Sequence, residues 1–146
     1  MRMSSSRSGF TLVELIIVMA IIGILAGVVL VNVGPRREHA MQTRALADIK
    51  EMDATLEMYH ADNGVYPSTQ QGLQALITQP STPPAARNWQ GPYIRNRKRV
   101  PIDPWGNEYV YVCPGQENPT SFDLSSYGAD GRPGGSGKDA DINLSE

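Results

Sequence analysis

Three aspartates near the C-terminus, Asp130, Asp139 and Asp141, lie in the segment SSYGADGRPGGSGKDADI, which also carries five glycines between Gly128 and Gly137. Carboxylates among residues that let the backbone fold tightly suit a hard cation such as calcium. Such an ion takes about six to eight oxygens, from carboxylates and main-chain carbonyls. The spacing is not that of an EF-hand, because no Asp-x-Asp-x-Asp-Gly run with a Glu at the twelfth position is present. An acidic flexible tail has the same composition, so residue types alone leave both a metal loop and a solvated tail open. The second unusual group is Glu14. From Phe10 to Val31 it and Thr11 are the only polar interruptions of an apolar run. A carboxylate in such surroundings costs on the order of a few kcal/mol unless paired, so it calls for a named partner or a place at the headgroup boundary.

A catalytic constellation is missing. The chain has no nucleophile motif, zinc signature or phosphate loop. His39 and His60 have no second ligand at a convincing spacing and read as solvated helix-face residues. With a formal net charge of -2, the chain is poorly suited to nucleic acid, whose binding runs on many Lys and Arg. The cluster Arg95, Arg97, Lys98 and Arg99 reads as a solvated loop or strand edge. Cys113 stands alone, so no intrachain disulfide is available, and the thiol reads as a small buried hydrophobe.

The elements that must position these groups come from the hydropathy pattern. Phe10 to Val33 is long enough to cross a bilayer as a helix, for which about 20 apolar residues suffice. Arg2 and Arg7 precede it without any acid, which keeps the N-terminus cytoplasmic by the positive-inside rule. No Ala-x-Ala site follows the run, so any cut is expected before it, leaving the apolar helix on the mature chain. Beyond Gly34 and Pro35, Met41, Ala45, Ile49, Met52, Leu56 and Tyr59 recur at spacings of four and three, an apolar stripe on a helix that Asn63 and Gly64 stop. The helix is expected from roughly Thr11 to Asp62, with a kink or local unwinding at Pro35. Ser68 and Gln71 form a capping box for a short helix ending before Pro80. DPWGNEYVY supplies a turn and then a strand, and residues 122–125 a second strand. Together they predict a sheet of three or four short antiparallel strands against the helix, an α+β fold.

Gly9, Phe10, Thr11, Leu12, Val13 and Glu14 spell GFTLVE, which resembles the prepilin peptidase motif of type IV pilins and type II secretion pseudopilins. YPSTQQGLQAL from Tyr66 and PIDPWGNEYVY from Pro101 are similar to segments of the major pseudopilins of type II secretion systems. The resemblance implies a type IV pilin-like fold with a leader at 1–9, a transmembrane and assembly helix at 10–33, and a periplasmic head at 34–146. Within the head it implies an amphipathic half-helix at 36–62, a variable loop at 63–100, and a sheet with a calcium loop at 101–146. It further implies cleavage between Gly9 and Phe10, N-methylation of Phe10, and a pairing of Glu14 with the Phe10 amine of a neighbouring subunit. Structural calcium would be held by Asp130, by either or both of Asp139 and Asp141, and by the carbonyls of Tyr127 and Arg132. The implied partners are further copies of the chain, minor pseudopilins, the prepilin peptidase, and an inner-membrane platform with its cytoplasmic ATPase. The implied function is a non-catalytic one, a filament in the periplasm that exports folded proteins, with a type IV pilus subunit as the alternative. Type IV pilins usually close a C-terminal loop with two cysteines, which this chain lacks. It also departs from the family in having Val31 where a proline is common, and in ending Asn143, Leu144, Ser145, Glu146 after the last Asp-Ile.

Overall fold

Fifty-two residues of the chain form one helix, α1 (Leu12–Asn63), in a computed structural model that describes residues 9–95 and 98–144, excepting the side chains of residues 28–35. The expected leader 1–9 therefore lies outside the described residues but for Gly9. Two units make up the chain, Met1–Arg37 and Glu38–Glu146. In the first, the side chains from Leu12 to Leu25 are apolar apart from Glu14, and the large ones are exposed around the whole helix circumference, Leu12 at 75% and Ile24 at 68%. Among the described residues no helix is long and apolar enough to cross a membrane, and the expected span continues into residues 28–33, whose side chains are not among those described.

Helical backbone runs through Gly34 and Pro35, so the expected unwinding is absent among the described residues. Proline removes one amide donor, and a long helix with intact turns on both sides can retain its form around that loss.

In the second unit the helical stripe is the core. Ala45, Ile49, Met52, Leu56 and Tyr59 are all buried, while Met41 at its start is half-buried. The charged residues Lys50, Glu51 and Glu57 are exposed, as the 3.6-residue period requires. Asn63 ends the helix and Gly64 comes next at φ +73, its N–H donating to the carbonyl of His60 at 2.7 Å.

Against this stripe pack Leu73, Leu76, Ile94, Tyr109, Tyr111, Phe122, Leu124 and Ile142. The capping box forms as expected. Ser68 N–H donates to Gln71 Oε1 at 3.0 Å, and Gln71 N–H to Ser68 Oγ at 3.2 Å. The helix beyond it is only a short 3-10 turn, Leu73–Leu76, entered through Gly72 at φ +58. The buried Gln71 has a second role, its Nε2 donating to the carbonyls of Thr82 and Pro84 and so tying down the proline loop.

The sheet is smaller than expected. Strands β1 (Val110–Val112) and β2 (Asp123–Ser125) pair antiparallel, with Tyr111 opposite Leu124. Beyond them, among the described residues, only isolated bridges Ile102 to Glu108 and Ser126 to Ile142 occur. Pro101, Pro104 and Pro114 flank these stretches and lack the amide a longer ladder needs. Alternation within the pair is strict, with Tyr111 and Leu124 buried and their neighbours half-buried.

Candidate functional site

The C-terminal segment folds back on itself through two 3-10 helices, Gly128–Asp130 and Gly137–Asp139. Gly128 is at φ +66, and a Cβ there would lie 2.8 Å from the carbonyl oxygen of Ala140 and 2.9 Å from that of Lys138. Glycine is thus required twice over, for its left-handed backbone and for the close approach of the two halves.

Each aspartate predicted as a ligand has a local partner. Asp130, exposed, accepts the Arg132 N–H at 3.1 Å. Asp139 accepts from Lys138 Nζ at 2.8 Å, which raises the lysine's pKa above its ordinary value. Asp141 Oδ2 accepts the Gly134 N–H at 2.9 Å, while its Oδ1 is buried with no hydrogen-bond partner among the described residues. Tyr127 is half-buried beside the first 3-10 helix, and Arg132 is exposed. Among the described residues no three His, Cys, Asp or Glu side chains are gathered to hold a metal, so any cation here depends on main-chain oxygens as well.

The surroundings of the loop include residues that spacing did not single out. Asp103 is 3% exposed, and Ser126, wholly buried, donates its hydroxyl to Asp103 Oδ2 at 2.7 Å. Asn107 donates from Nδ2 to the carbonyl of Gly128 at 2.9 Å. The sequence marks DPWGN as a turn, and an Asp before a Gly-Asn pair is the signal for such side-chain to backbone bonds. It carries no hint that the turn grips a segment more than twenty positions away.

Two tyrosines beside the helix are buried, Tyr109 and Tyr111. Tyr109 donates its hydroxyl to Asp48 Oδ2 at 3.0 Å, and burial, with Asp48 second, raises the phenol's pKa strongly. Tyr111 donates to the Pro67 carbonyl at 2.7 Å, and burial raises its pKa as well. Asp53 titrates above its ordinary value, through burial and then the nearby charge of Glu57. These groups hold the head together, and Tyr111 also lies beside the Cys113 thiol.

At the other end of α1, Gly9, Phe10 and Glu14 are exposed. Glu14 has a role that the expected ion pair did not anticipate. Its Oε2 accepts the Thr11 N–H at 3.4 Å, and its own N–H donates to Thr11 Oγ1 at 3.2 Å. The sequence TLVE is therefore a capping box at the helix start, a signal present in the residue types. Cys113 is half-buried rather than fully buried, its Sγ 3.7 Å from the Ser121 carbonyl. His39 is exposed as expected, whereas His60 is half-buried and stacks on Tyr66 with ring centroids 4.2 Å apart. Arg95, Lys98 and Arg99 are exposed, and Arg97 lies outside the described residues.

Comparison with known proteins adds five findings. Residues 32–145 match the family described as type II secretion system (T2SS), protein G, and residues 4–30 match the prokaryotic N-terminal methylation motif. A type II secretion system core protein G of Pseudomonas aeruginosa is 50% identical over 137 residues, covering 93% of each chain. One from Vibrio cholerae is 44% identical over 142 residues, covering 97% of this chain and 94% of its own. The crystal structure of the major pseudopilin from the type 2 secretion system of enterohaemorrhagic Escherichia coli is similar with a TM-score of 0.64 at 37% identity. It covers 77% of this chain and 93% of that one.

Proposed function

The chain belongs to the type II secretion system protein G family, and from that membership we infer that it works as the major pseudopilin of such a system. It is a structural subunit and not an enzyme. It assembles into a membrane-anchored periplasmic filament, the pseudopilus, which drives folded proteins out through the outer-membrane channel. The observation that carries this reading is the protein G match over residues 32–145, joined to the methylation motif over residues 4–30. A type IV pilus subunit is not favoured, since a C-terminal disulfide loop needs a second cysteine. The test is complementation. In a bacterium lacking its own protein G, this chain should restore secretion of a folded exoprotein, and unrestored secretion despite membrane-localised, folded protein would contradict the reading.

The finer steps are proposals. Prepilin peptidase cuts between Gly9 and Phe10, and the new Phe10 amine is N-methylated. The chain is held in the inner membrane by a single pass through residues 10–33, with its head in the periplasm. The exposed apolar surface from Leu12 to Leu25 supports this, since it is left uncovered among the described residues and lipid or other subunits would cover it. Glu14 caps its own helix before assembly and pairs with the Phe10 amine of a neighbour in the filament. A heterologous contact that does not close generates the polymer, with minor pseudopilins, an inner-membrane platform and its cytoplasmic ATPase as partners.

Calcium is the cofactor proposed for the C-terminal loop. Asp130 and either or both of Asp139 and Asp141, with the carbonyls of Tyr127 and Arg132, would hold it. The buried, unpartnered Asp141 Oδ1 supports the fit, because a carboxylate oxygen removed from water without a donor is stabilised by a cation. Bound calcium would crosslink the two halves of the loop, as a disulfide does in other small exported domains.

A further inference from the structure

We infer that the turn 103–107 positions the cation loop, with Asn107 and Asp103 as the positioning residues; this rests on the calcium reading above. The turn is itself rigid. Asp103 Oδ1 accepts the N–H groups of Trp105 at 3.0 Å and Asn107 at 2.7 Å, and the Asp103 N–H donates to the Asn107 carbonyl at 2.8 Å. From this base two arms reach the loop. Asn107 Nδ2 holds the Gly128 carbonyl at 2.9 Å, and Asn107 Oδ1 lies against Gly131, where a Cβ would come within 3.1 Å of it. Asp103 Oδ2 holds the Ser126 hydroxyl, whose oxygen in turn accepts the Gly128 N–H at 3.2 Å. Both backbone groups of Gly128 are thereby engaged, two residues before Asp130.

The second arm continues to the other half of the loop. Ser126 exchanges two backbone hydrogen bonds with Ile142, each of 2.9 Å, and Ile142 adjoins Asp141. One buried carboxyl group thus sets the backbone next to Asp130 and the backbone next to Asp141 at the same time. Every bond in this frame is made within the protein, so the frame stands without metal. A ligand set held in place beforehand loses less conformational freedom when the ion binds.

The frame also separates positioning from folding. Asn107 is half-buried and its amide donates to the Gly128 carbonyl, whereas Asp103 and Ser126 are buried. Asn107→Ala therefore removes the grip on Gly128 while leaving the core intact.

The experiment uses the full chain in detergent micelles, with calcium titrated calorimetrically and melting followed in excess EGTA. Asn107→Ala is expected to weaken calcium binding by about tenfold or more, with melting in EGTA lowered by no more than about 4–8 °C, the loss of one hydrogen bond. Asp103→Asn, where it folds, is expected to speed hydrogen exchange at the Gly128 amide in EGTA by at least about tenfold. A parent that binds calcium alongside an Asn107→Ala variant that binds within about twofold as tightly overturns the positioning inference and leaves the calcium reading standing. A variant that melts lower in EGTA with unchanged calcium affinity also overturns it, by showing a purely structural role. A parent that binds no calcium overturns the calcium reading, and this inference with it.

Discussion

The two ends of α1 differ in how densely they carry apolar side chains, 12 in the 14 residues 12–25 against nine in the 15 residues 45–59, and they meet opposite fates. Between Ala45 and Tyr59 one apolar stripe is buried by the chain's own head, while Met58, off that stripe, is 56% exposed. Between Leu12 and Leu25 they surround the helix, and the large ones are half or more exposed or nearly so, Val18 the least at 48%. One end finds its partner within the chain, and the other must find it in lipid or in another subunit. Periodicity and apolar density together separate a folding surface from an assembly surface.

Substitutions at the two ends test that division, and the largest effect is expected in the head. Leu56 is fully buried, so Leu56→Ala should cost about 2–5 kcal/mol and lower the melting temperature of the head by about 10 °C or more. The matching change Ile17→Ala, at a side chain 53% exposed, should leave that melting temperature within about 1 °C while lowering filament yield. Equal effects of the two on melting would remove the distinction.

Next in size is the effect of the proposed calcium. Removing calcium with EGTA should destabilise the head by about 2–3 kcal/mol at a calcium concentration near a hundred times the dissociation constant. Asp141→Ala should make melting indifferent to EGTA, and a persistent calcium response in that variant would move the ion elsewhere.

The smallest effect concerns Asp53, whose pKa burial raises, with Glu57 adding to the shift. An acid that holds its proton more tightly folded than unfolded loses stability as pH rises from its unfolded value of 3.8 through its folded one. The charged form is therefore slightly unfavourable at neutral pH. Asp53→Asn should raise melting by at most about 2 °C at pH 7 and have no effect near pH 3, measured as a melting series against pH. A lower melting temperature at pH 7 would show that the carboxylate has a favourable partner.

Much of the head is legible in the residues because it depends on side-chain periodicity. The stripe from Ala45 to Tyr59, the stop at Asn63 and Gly64, the Ser68 and Gln71 capping box and the strand at residues 123–125 all come from local pattern. The sheet is smaller than the pattern suggests, since alternation near Tyr109 does not reveal which prolines cut a ladder short. Pro35 reads as a break in a helix that the turns around it sustain. In the loop, Asp130, Asp139 and Asp141 are legible as acids among glycines, while their hydrogen bonds and the grip of Asn107 on Gly128 depend on contacts that folding creates. Glu14 is legible as a misplaced charge, and its bond to Thr11 is written in the same four residues, beneath the more conspicuous need for a partner in another subunit.

Glu14→Gln isolates the charge from the cap, because glutamine keeps the oxygen that accepts the Thr11 N–H. Filament formation by the full chain in cells, with melting of the purified variant as the control, is the most direct measurement. Loss of filaments with head stability unchanged is the expected result. Filaments at the parental yield would contradict it, and would leave Glu14 as a helix cap alone.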